Sequence, residues 1–222
     1  EILIGLVGSE MCIRDRYDDG ASDVAPVSGK NLKLSLDINL QAYGEKLMKN
    51  KVGSIVMIEP ETGEVLCLVT SPNYDPSLLV GRQRGKNHRM LEENPQTPLI
   101  DRSITGFYPP GSTFKPTQGL IFLQEGVITP STMYTCAHGY TYSIKRKPAC
   151  HGHASPLSLV PALATSCNSF FCWGLHDMLD NRRRYPTVQE GFEVWKNHLV
   201  SMGYGYPLGI DLPGEKRGYI PN

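Results

Sequence analysis

Ser112-Thr113-Phe114-Lys115 is the single S-x-x-K in the 222-residue chain. Positions i and i+3 share one face of a helical turn, so a helix begun at Ser112 sets the Lys115 amine beside the Ser112 hydroxyl. An amine removed from water loses its preference for the charged state and can take up a serine proton. The rigid Pro109-Pro110-Gly111 approach puts Ser112 at the start of the helix, where free backbone N–H groups favour a developing oxyanion. The spacing is weak evidence alone, because such a match arises by chance every few hundred residues. A capping serine followed by a surface lysine is the competing interpretation.

Ser166-Cys167-Asn168 follows 54 residues later, counted from Ser112 to Ser166. A second hydroxyl and a carboxamide between two helices suit proton relay and recognition of an amide. A similar triplet, Ser71-Pro72-Asn73, precedes Ser112 and reads as a turn after a strand. Cys67 and Cys172 read as apolar fillers of a strand and a helix, and Cys12 lies near the N-terminus. Cys136, Cys150 and Cys167 remain, with His138, His151 and His153 nearby, in the pattern C-x13-C-H-x-H-x13-C. Thiolates with imidazole suit tetrahedral zinc, and four protein ligands would close the shell and make the metal structural. A Cys136–Cys150 disulfide in an oxidising compartment, or free thiols throughout, are the alternatives.

The elements that must position these groups follow from periodicity. Leu32, Leu34 and Leu36 alternate with polar residues as in a half-buried strand. Asp37 is placed to cap a helix with Leu40, Tyr43, Leu47 and Met48 on one face. Residues 53–59 and 64–70, joined by Pro60-Glu61-Thr62-Gly63, predict an antiparallel hairpin. Residues 71–100 read as loop, with a basic run at Arg82, Arg84, Lys86 and Arg89. The Ser112 helix runs through Leu123 and stops at Gly126. Residues 129–153 are irregular. A helix with Ser155 as cap and Pro156 in its first turn runs to about Thr165, and another spans 169–179. The Arg182-Arg183-Arg184 run reads as a solvated loop.

Composition limits the function further. Lys plus Arg is 22 and Asp plus Glu is 22, so no global charge draws the chain to nucleic acid or anionic lipid. A 40% hydrophobic and 20% charged composition is globular. No run reaches the ~20 apolar residues needed to cross a bilayer. Residues 1–16 resemble the conceptual translation of a sequencing adapter and are expected to be a non-native leader, with 17–30 a linker. The missing initial Met and the ending on Gly218-Tyr219-Ile220-Pro221-Asn222 suggest a fragment.

The pair STFK then SCN, in that order, resembles the penicillin-binding proteins and serine β-lactamases. LSLDINLQAYGEKLM, GSIVMIEPETGEVLCLVTSPNYDP, FYPPGSTFKP and GYGYPLGIDLPGE are similar to class B transpeptidases, above all the elongation-type penicillin-binding protein 2 group, across residues 31–222. The resemblance implies an α+β transpeptidase fold, an antiparallel sheet flanked by helices, here incomplete. It implies Ser112 as acylated nucleophile, Lys115 as its base, Ser166 as proton relay and Asn168 as the holder of the donor stem peptide. Peptidoglycan stems ending in D-Ala-D-Ala would be the substrate, and β-lactams would acylate the same serine. It also favours zinc, with Cys136, Cys150, His153 and Cys167 as ligands, His151 in reserve and His138 at the surface.

No K-[ST]-G triplet follows residue 168, although the family carries one on a downstream strand. The 222 residues are therefore expected to be inactive alone. The resemblance further implies a membrane anchor, the periplasmic face of the inner membrane and a membrane glycosyltransferase partner of the elongation machinery. A D,D-carboxypeptidase or β-lactamase is one alternative, opposed by the lack of a motif around Glu190 and Glu193. A non-catalytic β-lactam sensor or zinc-stabilised binding module is the other.

Overall fold

A computed structural model describes residues 4–5, 31–142 and 148–221. The expected leader lies outside the described residues except for the backbone of Ile4–Gly5, and the linker at 17–30 lies wholly outside them. The chain forms two compact units, residues 1–106 and 107–222. The fold is α+β.

In the first unit, β1 (Ile4–Gly5) pairs antiparallel with β2 (Asn31–Leu32). The strand expected through Leu36 ends at Leu32, and the residues that follow bond to the start of the hairpin's second strand instead. Ser35 Oγ donates to the Val65 carbonyl and the Asp37 N–H to that of Leu66. Asp37 then caps α1 (Ile38–Met48), its Oδ1 accepting from Asn39 N at 2.8 Å and Leu40 N at 3.0 Å.

The face of α1 differs from the expected one. Tyr43 and Leu47 are exposed, and the buried position is Gly44. A Cβ there would stand 3.0 Å from Val69 Cγ2 and 3.1 Å from Cys67 Sγ, so the bare backbone lets α1 lie directly on β4. The hairpin forms as expected from β3 (Gly53–Ile58) and β4 (Val65–Ser71), with Gly53 opposite Ser71 and Met57 opposite Cys67. Ser71 Oγ is bonded to the carbonyls of Met48 and Lys51, so the Ser71-Pro72-Asn73 triplet serves the strand end.

The stretch expected to be loop contains a 3-10 turn at Pro76–Leu79, α2 (Arg84–Glu92) and α3 (Arg102–Thr105). α2 leaves little trace in sequence because Leu91 is its only buried residue. Arg84, Lys86 and Arg89 of the basic run lie on this helix.

The second unit carries a core of Ile121, Phe122, Ile128, Leu157, Phe170 and Met178, among others. A 3-10 turn at Gly111–Phe114 leads into α4 (Lys115–Gln124). α5 (Leu159–Ala164) begins three residues later than expected, with Ser158 rather than Ser155 as its cap residue. The reason is a tertiary contact: Leu157 is extended and pairs with Tyr134 in an antiparallel bridge, so the Ser155-Pro156 dipeptide cannot open a helix. Ser155 Oγ instead accepts the Cys136 N–H at 2.8 Å.

α6 (Asn168–Leu179) matches expectation within a residue. α7 (Val188–Ser201) takes up the segment of Glu190 and Glu193, which reads from sequence as loop passing into helix without defined bounds. Thr187 caps it by accepting from Glu190 N, and Trp195 and Leu199 on one face enter the core. The Thr187-x-x-Glu190 cap signal followed by Phe192, Trp195 and Leu199 was the available clue. Arg184 is not simply solvated: it pairs with the buried Glu125 at 2.8 Å. No helix among the described residues is long and apolar enough to cross a membrane.

Candidate active site

The S-x-x-K segment sits on the turn that feeds α4. Gly111 has φ 59°, a left-handed conformation that suits glycine and bends the chain into that turn. Ser112 is exposed, whereas Lys115, three residues on, retains only 9% of its accessible surface. Phe114 between them is held edge-on by Trp195 and Tyr204, with ring centroids 6.4 and 5.8 Å away. The motif is thus fixed by an aromatic cluster on one side and by a buried amine on the other.

The structure brings Ser112, Lys115, Ser166 and Asn168 together. Lys115 Nζ donates to the Ser166 carbonyl at 2.6 Å, Ser166 Oγ at 2.9 Å and Asn168 Oδ1 at 2.6 Å. Ser166 Oγ donates in turn to Ser112 Oγ at 2.9 Å. The direct Lys115–Ser112 hydrogen bond suggested by helical spacing is not among the bonds of the described residues. In a 3-10 turn leading into α4, the buried amine points at the S-x-N segment, and Ser166 spans the gap. Ser166 itself has φ 53°, a strained conformation for a residue with a Cβ.

Burial lowers the proton affinity of the Lys115 amine, while the nearby sulfurs of Cys150, Cys167 and Cys172 pull it the other way. Burial prevails, so the amine lies below the ordinary lysine range. The Phe171 ring lies 5.7 Å from Nζ. Asn168 is oriented at both ends, since its Nδ2 donates to the Ala149 carbonyl at 2.7 Å. Neither Phe171 nor Ala149 carried a motif in the sequence, because one acts through its ring face and the other through its backbone.

Glu190 and Glu193 lie on α7, where Glu193 accepts from Gln189 Nε2 at 2.9 Å. No hydrogen bond joins either to the Ser112 group among the described residues.

Behind the S-x-N segment, Cys136, Cys150, His153 and Cys167 each offer one ligand atom, and the four atoms lie within 4.8 Å of one another. His151 and His138 are exposed and outside this group. His153 Nδ1 bonds to the Ala154 carbonyl at 2.7 Å, which leaves Nε2 as the nitrogen free to ligate. Nε2 is buried and has no hydrogen-bond partner. An orphaned imidazole nitrogen among three thiols fits a soft or borderline metal ion, and three sulfurs with one nitrogen complete a tetrahedral set.

The cluster is wired into α6. Cys167 caps the helix by accepting from Phe170 N at 3.4 Å, and Cys150 Sγ accepts from Asn168 N at 3.2 Å and Ser169 N at 3.4 Å. Burial pushes the Cys167 thiol up to about 12. Burial acts on Cys150 likewise, yet the Ser169 N–H and its neighbours in the cluster bring it down to about 7. Sulfur from a preceding loop thus takes the place of the usual oxygen at the helix start.

A second polar group, which no sequence motif announces, lies around Glu125, just past the end of α4. Glu125 receives the Tyr185 hydroxyl, Arg184 Nη2 at 2.8 Å and His198 Nε2 at 2.6 Å. Residues 59 or more positions away in sequence converge on one buried carboxylate.

The penicillin binding protein transpeptidase domain family matches residues 53–222. The chain is 34% identical over 214 residues to the peptidoglycan D,D-transpeptidase MrdA of Escherichia coli K12, covering 94% of this chain and 31% of that protein. It thus spans about a third of the length of the curated relatives it matches.

Among solved structures, Pseudomonas aeruginosa PBP2 in complex with WCK 5153 superposes with a TM-score of 0.75 at 31% identity, over 88% of this chain and 42% of that one. The penicillin G acyl-enzyme complex of penicillin-binding protein A from M. tuberculosis gives 0.68 at 26% identity, over 82% and 42%. The chain belongs to the penicillin-binding protein transpeptidases, in the class B, elongation-type PBP2 group.

Proposed function

We propose that the protein is a serine D,D-transpeptidase that crosslinks peptidoglycan, with Ser112 as nucleophile. The observation that carries the reading is the unbroken chain from Ser112 Oγ through Ser166 Oγ to Lys115 Nζ, each link 2.9 Å. Ser112 Oγ attacks the carbonyl carbon of the penultimate D-Ala of a stem peptide. Its proton passes to Ser166, whose own proton passes to neutral Lys115. The tetrahedral oxyanion collapses, the C–N bond breaks, and the terminal D-Ala leaves with the proton returned along the chain. An amine of a second stem then attacks the Ser112 ester, forms the crosslink and restores the serine.

Asn168 has two tasks in this scheme. Its carbonyl oxygen holds Lys115, and its amide end orients the donor stem. A β-lactam presents the same acyl carbon in a ring and acylates Ser112 without a leaving D-Ala.

Cys136, Cys150, His153 and Cys167 hold a zinc ion in this reading, and the ion supplies structural crosslinking between the 136–153 segment and the start of α6. Ser166 and Asn168 flank one ligand, so that crosslink fixes the relay and the carboxamide. The protein works in the cell envelope at the periplasmic face of the inner membrane, with a membrane glycosyltransferase as partner.

The test is labelling of the full-length protein with a fluorescent penicillin. Wild type is expected to take the label covalently and Ser112→Ala to take none. Label retained by Ser112→Ala, or absent from wild type, rejects the reading.

A further inference from the structure

We propose that the metal centre is also an oxidation site: a two-electron oxidant of the peroxide class joins Cys150 to Cys167, expels the metal and shuts down Ser112. The proposal rests on the reading of Ser112 as the acylated residue and of the cluster as a metal site.

The three thiols are free, and Cys150 Sγ and Cys167 Sγ already touch at 3.9 Å. Cys150 is only partly buried, so an oxidant can reach it, whereas Cys167 retains 1% of its surface. That asymmetry suits an attacked sulfur with a protected resolving sulfur behind it. Peroxide converts the Cys150 thiolate to a sulfenic acid and releases hydroxide. Cys167 sulfur then attacks that sulfur, the S–O bond breaks, and water leaves. With the metal counted, one divalent zinc, three thiolates, one peroxide and three protons give a disulfide, the Cys136 thiol, free zinc and two waters. Two sulfurs lose two electrons in all, and the peroxide oxygens gain them.

The link to the serine is the place of Cys167 in the chain. The sulfurs must close from 3.9 Å to the ~2.05 Å of a disulfide. Cys150 Sγ accepts the N–H groups of Asn168 and Ser169, and Cys167 Sγ accepts that of Phe170. Closing the bond therefore draws on the first turn of α6. Ser166 and Asn168, on either side of Cys167, move relative to Lys115, and a relay built from 2.6–2.9 Å contacts loses its geometry.

The experiment uses the full-length, zinc-loaded protein and graded hydrogen peroxide. Zinc release is followed with a chromophoric chelator. Crosslinks are mapped by mass spectrometry after combined tryptic and chymotryptic cleavage, since trypsin alone leaves Cys150 and Cys167 on one peptide. Acylation is followed with a fluorescent penicillin. The expected result is loss of the metal, a Cys150–Cys167 crosslink and a fall in acylation of roughly tenfold or more, all reversed by dithiothreitol and zinc.

Retention of the metal with reduced thiols overturns the proposal. So does a crosslink formed only through Cys136, or a Cys150–Cys167 crosslink with unchanged acylation. Metal release and crosslinking are read without the penicillin. A protein that never took the label would therefore reject the transpeptidase reading and with it the shutdown of Ser112, whatever the sulfurs did.

Discussion

Gly174 on α6 lies against the ring of Phe122 on α4: a Cβ at Gly174 would stand 2.5 Å from Phe122 Cε2 and 2.7 Å from Cδ2. These two helices carry the two motifs, so the contact sets the separation of Lys115 from Ser166 and Asn168. Gly174→Ala is expected to cost about 1–3 kcal/mol of stability through overpacking. It should also slow penicillin acylation more than the stability loss alone explains. Adding Phe122→Leu should recover much of both, and failure of the pair to couple in thermal melts and labelling rates would sink the idea.

Acylation should rise with pH. Lys115 lies below the ordinary lysine range because it is buried, so its neutral, proton-accepting form grows in as pH rises through that lowered value. The second-order rate constant for penicillin is expected to climb with pH and to level off below the ordinary lysine value of about 10.4. Ser166→Ala removes the bridge between Ser112 and Lys115 and should lower that rate roughly 10²-fold or more. Stopped-flow labelling across pH 6 to 10, as a range of roughly that width, checks both.

Glu125 should make the second unit sensitive to acid. Burial pushes its carboxyl up, but the Tyr185 and His198 hydrogen bonds and the Arg184 charge together hold it below the ordinary carboxylate range. A carboxyl with a lowered folded value stabilises the fold fully above its unfolded value. That contribution is lost as pH falls through the folded one. Glu125→Gln is expected to cost about 2 kcal/mol at neutral pH and to flatten the stability profile below about pH 4. Urea unfolding at several pH values measures it, and an unchanged acid slope would count against the assignment.

Removal of the metal should act on the serine at a distance. His153→Ala deletes the proposed nitrogen ligand and is expected to reduce zinc content to a small fraction of wild type, lower Tm and weaken acylation while leaving Ser112 itself in place. Elemental analysis alongside labelling separates the cases. Full acylation without metal would show that the cluster does not position α6.

Much of this was legible because the decisive groups are local or repeat a known order. Ser112 and Lys115 are three apart, the hairpin is two apolar runs around the Pro60-Glu61-Thr62-Gly63 turn, and Asp37 announces its helix. The conformation of the relay was not legible. Helical spacing alone suggests a Lys115–Ser112 bond, but the amine is used on Ser166 and Asn168 more than fifty residues away. α2 escaped notice because its nine residues bury one side chain, and the Glu125 group because its members meet only through tertiary packing. The start of α5 was misplaced because the extended pairing of Leu157 with Tyr134 overrides a local cap signal.

The three bonds of Lys115 carry one more consequence. An ammonium has three hydrogens, and Nζ has three acceptors, so the resting amine is saturated. Ser166 spends its one hydrogen on Ser112, which makes Ser112 Oγ an acceptor in this chain. The resting polarity thus runs outward from the lysine, opposite to the direction a departing serine proton must travel. The proposed reaction must therefore begin with a reversal: one proton is shed from the amine, and two hydroxyl hydrogens swing around in sequence. Several protons in flight in one rate-limiting passage give a bowed proton inventory in mixtures of light and heavy water, where a single transfer gives a straight line.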